Sequence, residues 1–119
     1  MSLAFYDCNG RPYAYTDDGE HIFTFGGRPI GYLSDGAVYR FNGRHVGYFD
    51  SGVVRDSQGS TLLFTEGATG GPMKPMRSML PMKSMKQMKP MKSMKQMRPM
   101  RPMSTTSWSS YDPASIFEA

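Results

Sequence analysis

The chain has 119 residues and a formal net charge of +4, and it is rich in glycine, proline and methionine. Its single cysteine excludes an intramolecular disulfide, which is typical of a reducing compartment. No apolar run approaches the roughly 20 residues that a membrane-spanning helix needs, and MSLAFYDCNG lacks the pattern of a signal peptide. We therefore expect a cytoplasmic protein, or one exported without a recognisable signal peptide.

Charge and composition divide the chain into three regions. Residues 1–69 form an expected head, 70–103 a basic tail and 104–119 a serine-rich C-terminal segment with the only tryptophan. Residues 1–67 sum to −3, whereas residues 68–103 carry nine cations and no acid. An acidic head with a basic arm favours either a polyanion partner or self-association.

The head is an internal repeat of 16 or 17 residues, marked by two sets of glycines. The first set is Gly10, Gly27, Gly43 and Gly59, and the second is Gly19, Gly36, Gly52 and Gly67. Asn-Gly at the first set, as in Asn9-Gly10, predicts hairpins with type I′ turns. The second set turns the chain into the next unit. The fold class is therefore all-β, with eight strands in four β-hairpins related by pseudo-fourfold symmetry and closed into a ring.

Each unit carries an aromatic residue at the same place after its first turn. This predicted aromatic cluster of the head is Tyr15, Tyr32, Tyr48 and Phe64. The four rings either line a central pocket for a small ligand or form a plain core. His21 and His45 occupy different hairpin positions, and the acids recur at turns. We expect no enzyme, no catalytic residues and no cofactor.

Four stretches of the chain share a recognisable pattern: YDCNGRPYAYTDDGEHIF, FGGRPIGYL, FNGRHVGYF and the junction FTEGATGGPMKPM. In these stretches the chain resembles one family of small bacterial domains, the fourfold β-flower proteins. The resemblance covers the chain from about residue 4 to residue 103. It implies four β-hairpins around a pseudo-fourfold axis and no established activity. Related tails carry valine where this chain has methionine, which favours a role that needs an apolar edge rather than sulfur.

The tail places eleven methionines at every third position from Met73 to Met103. Nine of the ten residues that follow a methionine are Lys or Arg, and the third position is Pro, Ser or Gln. A period of three matches polyproline II, in which the methionines share one edge and the cations another. A straight rod of this kind spans roughly 95 Å. The alternative is a disordered, low-complexity tail.

An apolar edge that cannot be buried alone predicts self-assembly or docking to a protein partner. The methionines expected to carry that contact are Met82, Met85, Met88, Met91, Met94 and Met97. Unbranched methionine adapts well to irregular packing, which suits a bundle or a groove. A homo-oligomer or a protein complex is therefore the expected state.

Two other ligands fit the tail. A polyanion such as nucleic acid or an anionic surface contacts cations through salt-dependent attraction. The cations of that interface are Lys83, Lys86, Lys89, Lys92, Lys95 and Arg98. The methionine array is also a hypothetical Cu(I) site, because thioethers select soft ions.

The C-terminal segment breaks the triplet pattern and contains an apolar cluster. Its members are Trp108, Tyr111, Ile116 and Phe117. One interpretation is a docking motif that anchors on a partner, since buried aromatics dominate interface energies. The other is a segment that packs back on the protein's own head or tail.

Overall fold

The computed structural model of the protein describes residues 2–118, which contain eight short β-strands and one short helix. The strands are β1 (Leu3–Tyr6), β2 (Pro12–Thr16), β3 (His21–Thr24), β4 (Pro29–Ser34), β5 (Ala37–Tyr39), β6 (His45–Asp50), β7 (Val53–Arg55) and β8 (Thr61–Phe64). The helix α1 spans Pro113–Phe117. No helix among the described residues is long and apolar enough to cross a membrane.

The eight strands form a closed antiparallel barrel in which each strand pairs with its neighbours in sequence. The ring closes where Tyr6 of β1 pairs with Phe64 of β8. The register shifts at the same place in all four hairpins, for instance between Phe5 and Tyr6 in the first. The predicted all-β architecture of four equivalent hairpins is confirmed.

The predicted turn type is wrong for the Asn-Gly sites. Gly10 has a φ of 78°, but Asn9 does not share its positive φ, as a type I′ turn requires. The loop is wider, since the backbone N–H of Gly10 donates to the Asp7 carbonyl at 2.9 Å, and the Asp7 carboxylate accepts hydrogen bonds from the backbone N–H groups of Asn9 and Arg11 at 2.9 and 3.0 Å. Paired positive φ values occur instead in the second glycine set, for example at Asp35-Gly36.

The barrel interior is filled by apolar side chains that come from all eight strands. Those from the odd strands are Phe5, Ile22, Val38 and Val54, all at most 1% exposed. Ala14 faces the same core, and a Cβ added at the equivalent Gly31 would collide with the carbonyl of Tyr39. The small residues therefore let neighbouring strands approach closely inside a narrow barrel.

The predicted aromatic cluster does not form. Tyr15, Tyr32, Tyr48 and Phe64 are buried, but they lie in three separate clusters outside the central core. Because side chains alternate along a strand, a strand that turns Ala14 inward must turn Tyr15 outward. The three tyrosine rings are covered by the tail and Phe64 by Trp108, so the four rings line no central pocket.

The C-terminal segment packs on the head, which is the second of the two interpretations of its apolar cluster. Phe117 is 2% exposed and belongs to the central core, against which Ile116 packs. Trp108 lies edge-on to Phe64 at 5.9 Å and forms a bridge with Thr61. Only Tyr111, 49% exposed, is available to a partner.

The tail wraps around the barrel, so the prediction of a straight rod is wrong. Residues 73–105 have neither helix nor strand, yet the whole molecule measures only 36 × 35 × 25 Å. Nine extended residues cover about 28 Å, so four such segments cover about 110 Å, the circumference of a circle roughly 36 Å across. The tail has the length of one turn around its own head.

Candidate interaction surface: the methionine belt

The tail binds the head with one nine-residue segment for each hairpin. Its backbone N–H groups donate to the carbonyls of the four glycines of the first set. The pairs are Ser78–Gly10, Gln87–Gly27, Gln96–Gly43 and Thr105–Gly59, at 2.8, 2.8, 2.8 and 3.2 Å. The donors are nine residues apart and the acceptors 16 or 17. The tail therefore repeats the approximate symmetry of the barrel.

Proline occupies tail positions where no backbone donor is needed. Two of the tail segments make a second hydrogen bond to the head. In these the backbone N–H groups of Ser84 and Ser93 donate to the carbonyls of Phe25 and Phe41, respectively, both at 2.8 Å. The equivalent positions nine residues outward are Pro75 and Pro102, which have no N–H. A further set recurs every nine residues between these contacts, as Pro72, Pro81, Pro90 and Pro99. The third position of the triplet is therefore Ser or Gln where its backbone N–H donates to the head, and Pro where it does not.

The first glycine set is required by the tail as well as by the turns. A Cβ added to Gly27 would collide with the backbone carbonyl of Met85, and one at Gly43 with that of Met94. The same collision occurs at Gly10 and Gly59. Their positive φ values add a second reason for glycine. The tail runs directly over these four positions.

One set of tail cations lies over the outward-facing tyrosines of the even strands. The Nζ atoms of Lys83 and Lys92 are each 4.5 Å from the ring centres of Tyr15 and Tyr32. Nine residues further on, the Cζ atom of Arg101 is 5.3 Å from the ring centre of Tyr48. These are cation–π distances. Three of the four predicted aromatic residues therefore contact the tail.

A second set of cations covers the odd strands in the same way. Its pairs are Arg77–Tyr6, Lys86–Phe23 and Lys95–Tyr39, at 5.9, 5.4 and 5.8 Å. The fourth unit reverses the arrangement, because the tail has Ser104 and the head has Arg55 at the equivalent places. Arg55 is only 5% exposed, and its guanidinium donates to the carbonyl of Thr105 at 2.8 Å. Each unit thus has a cation between tail and head.

Carboxylates of the head also pair with tail cations. Asp17 accepts from Lys83 at 3.0 Å and from Lys86 at 2.6 Å, and these hydrogen bonds lower the pKa of Asp17 to about 2. Glu20 pairs with Lys92 at 2.7 Å, which lowers the pKa of Glu20. Lys95 and Arg98 donate to oxygens of Ser34 and Asp35 that are not carboxylates, and Lys89 has no hydrogen bond or ion pair among the described residues. Most of the predicted polyanion-binding edge is therefore engaged with the head.

The methionines point away from the head. All eleven are 88–94% exposed, including the six singled out from the sequence. They are Met73, Met76, Met79, Met82, Met85, Met88, Met91, Met94, Met97, Met100 and Met103. We call this ring of side chains the methionine belt. Because the cations are turned inward, the belt is an uncharged apolar band around the barrel.

Sequence reasoning missed the partnership between the tail cations and the head aromatics. The available signal was the match of four prolines at nine-residue intervals with four hairpins. Triplet periodicity alone does not show which edge faces a surface. Aromatic residues at outward strand positions, in a head with excess acid, indicate that a basic segment covers them.

The described residues contain no group of three or more His, Cys, Asp or Glu side chains placed to hold a metal ion. A closed barrel of four repeated hairpins, belted by its own tail, defines a small all-β protein built by internal repetition. The chain matches the profile of the family described as 4-fold beta flower protein over residues 3–117, and it belongs to that family. Neither the curated proteins nor the solved structures that were compared contain a match to it.

Proposed function

We propose that the protein is a non-enzymatic assembly module whose copies associate side by side through the methionine belt. The observation that carries this proposal is the exposure of all eleven tail methionines at 88% or more. Burying one such side chain is worth about 1.5–3 kcal/mol, or roughly 60–120 Å² at 25 cal/mol/Å². The belt thus offers about 700–1,300 Å², above the roughly 300–600 Å² of the largest apolar patch on a typical monomer.

The belt surrounds the molecule, which favours several neighbours over a single partner. One nine-residue segment presents three methionines to each side, so one contact between two convex belts is small. Association costs an estimated 4–15 kcal/mol in lost freedom of motion, which a few methionines offset only in part. Several simultaneous contacts per copy overcome this cost. The fraction of assembled protein should therefore rise steeply over a narrow range of protein concentration.

Charge also supports contact between identical belts. The inward cations pair with head groups such as Asp17 and Glu20, so two belts meet without facing lysines. Lys89 has no such partner among the described residues. Because the contact is apolar, salt that screens surface ion pairs leaves it intact.

The test is the solution mass of three full-length proteins, measured by light scattering over a range of concentrations at low and high salt. One is the natural sequence, and two carry Ser or Leu at the six positions Met82, Met85, Met88, Met91, Met94 and Met97. We expect the natural and leucine proteins to associate at both salt concentrations and the serine protein to keep the mass of a monomer. Equal association of all three, or a monomer throughout, would refute the proposal.

A further inference from the structure

The two ends of the barrel differ in what fills them. At the end where β2 and the other even strands begin, the Phe117 ring packs against Tyr13 with their centres 6.2 Å apart. The carboxylate of Glu118 accepts a hydrogen bond from the Tyr13 hydroxyl at 2.5 Å and pairs with Arg28 at 3.3 Å. An apolar ring with an adjacent charge therefore closes this end.

The opposite end has a cavity of about 420 Å³ that opens to solvent. Its apolar wall is formed by Leu3, Leu33 and Phe49, which are partly buried and pack on the same central core as Phe117. The Phe49 ring meets the fully buried Phe5 edge-on at 6.0 Å. This volume lies within the roughly 300–1,000 Å³ of small-molecule sites.

The polar rim of the cavity is acidic. It contains Thr16, Asp17 and Asp18, and no Lys or Arg side chain lines it. Asp17 is paired with tail lysines. Asp18 has no Lys or Arg within ion-pair distance among the described residues, and its side chain is 52% exposed. A cationic group of a ligand in the cavity can therefore approach Asp18.

The carboxylate of Asp18 is held in position and ionised. Its oxygens accept hydrogen bonds from the His21 ring at 2.7 Å and from the backbone N–H groups of Glu20 and His21 at 2.8 Å. Burial acts to raise the pKa of Asp18, but these hydrogen bonds outweigh it, and the pKa lies below its usual value. Asp18 therefore carries a negative charge near neutral pH.

We propose that this cavity is a binding site for small amphiphilic primary amines. The apolar chain lies between Leu33 and Phe49, and the ammonium group pairs with Asp18. The other end of the barrel is already closed in a similar way, by the apolar ring of Phe117 and the adjacent carboxylate of Glu118, which pairs with Arg28. In the cavity the charges are reversed, because the ligand is the cation and the protein supplies the carboxylate. The site is separate from the methionine belt, so it stands or falls independently of the assembly proposal.

The test uses the full-length six-serine protein, with n-octylamine, 1-octanol and octanoate as probes. Methyl NMR follows the chain's five leucines, of which Leu3 and Leu33 line the cavity, and its remaining methionines. We expect octylamine to shift the Leu3 and Leu33 signals and to bind about two- to fivefold more tightly than octanol, as for a partly exposed ion pair. Octanoate should bind most weakly.

Two variants separate the contributions. Asp18→Asn should remove the preference for amine over alcohol and leave octanol binding unchanged. Asp35→Asn changes an acid at the same end that does not line the cavity, and it should leave the preference intact. Leu33→Gln should weaken both probes. The proposal is overturned if octylamine shifts no cavity leucine, if octanoate binds as tightly as the amine, or if the two Asn variants behave alike.

Discussion

The guanidinium of Arg55 donates to the backbone carbonyls of Gly59 and Thr105 at 2.9 and 2.8 Å, and so ties the fourth hairpin to the end of the tail. In the other three hairpins the head supplies an aromatic ring at this place and the tail supplies the cation. In the fourth hairpin the charged group of this contact therefore belongs to the head, and in the other three it belongs to the tail.

This exchange predicts a coupled pair of substitutions. Arg55→Tyr alone should lower the free energy of unfolding by about 2–3 kcal/mol, because hydrogen bonds to a buried charged group are lost. Ser104→Lys alone places a lysine beside Arg55 and should not stabilise. Together they recreate the arrangement of the other units, and denaturant unfolding should give a favourable coupling of about 1 kcal/mol or more. Simple additivity would contradict the equivalence.

A glycine pair separates turn strain from contact with the tail. Gly43 and Gly19 have φ values of 90° and 78°, but an added Cβ collides with the Met94 carbonyl at Gly43 and meets nothing within 4 Å at Gly19. Gly19→Ala should cost about 1–2 kcal/mol for its positive φ alone. Gly43→Ala should cost about 3 kcal/mol or more, because the tail must also move. Equal costs, measured by chemical denaturation, would mean that the tail does not run over Gly43.

The lysines of the tail provide a second matched pair. Lys92 lies over Tyr32 and pairs with Glu20, whereas Lys89 has no ion pair or ring contact among the described residues. Lys92→Gln should destabilise the fold by about 1 kcal/mol, from one exposed cation–π contact and one surface ion pair. Lys89→Gln should change stability by less than about 0.5 kcal/mol. Thermal unfolding at low salt makes this comparison, and the difference should shrink at high salt.

His45 predicts a loss of stability on mild acidification. Its ring packs edge-on to Tyr39 and Tyr48, and its buried Nε2 has no hydrogen-bond partner among the described residues. Burial, followed by the charge of Arg98, lowers the pKa of His45. The unfolded chain, with an ordinary histidine pKa of about 6.5, then binds more protons than the fold as pH falls, so the free energy of unfolding decreases below about pH 6.5.

The control for this prediction is His45→Thr, which keeps the backbone N–H that donates to Gln96 at 2.8 Å and has a precedent at the equivalent Thr61. It should flatten the dependence of stability on pH between about 7.5 and 5.5. His21 is present in both proteins, so its contribution cancels. Asp17, whose pKa is lowered to about 2, loses its contribution only in more acidic solution. Identical pH profiles would rule out His45 as the source.

The sequence predicted the hairpins well because their signals are local. Glycine spacing and the recurring aromatic position predict all eight strands, and strand edges that need partners favour closure. The turn type at Asn9-Gly10 and Asn42-Gly43 was predicted wrongly, because in both the glycine N–H donates to the carbonyl three residues earlier, at Asp7 and Arg40, and so closes a wider loop. An Asn-Gly dipeptide does not show which residues flank the loop.

The path of the tail was missed for a different reason. Period three identifies a shared edge for the methionines, but the same pattern fits a free rod and a belt. Contacts between Lys83 and Tyr15, or between Gln96 and Gly43, join residues more than 50 positions apart. Only the agreement between nine residues of tail and one hairpin of head indicates the wrap, and it requires the barrel's circumference to be known.

The central claim is that the tail circles the head with its methionines outward. Small-angle X-ray scattering of the six-serine protein tests it directly, because those substitutions lie on the outer face and remove the expected association. We predict a radius of gyration close to the 13.3 Å of the Cα trace and a largest dimension near the 36 Å extent, plus hydration. A largest dimension approaching roughly 95 Å, the length of an extended tail, would contradict the belt.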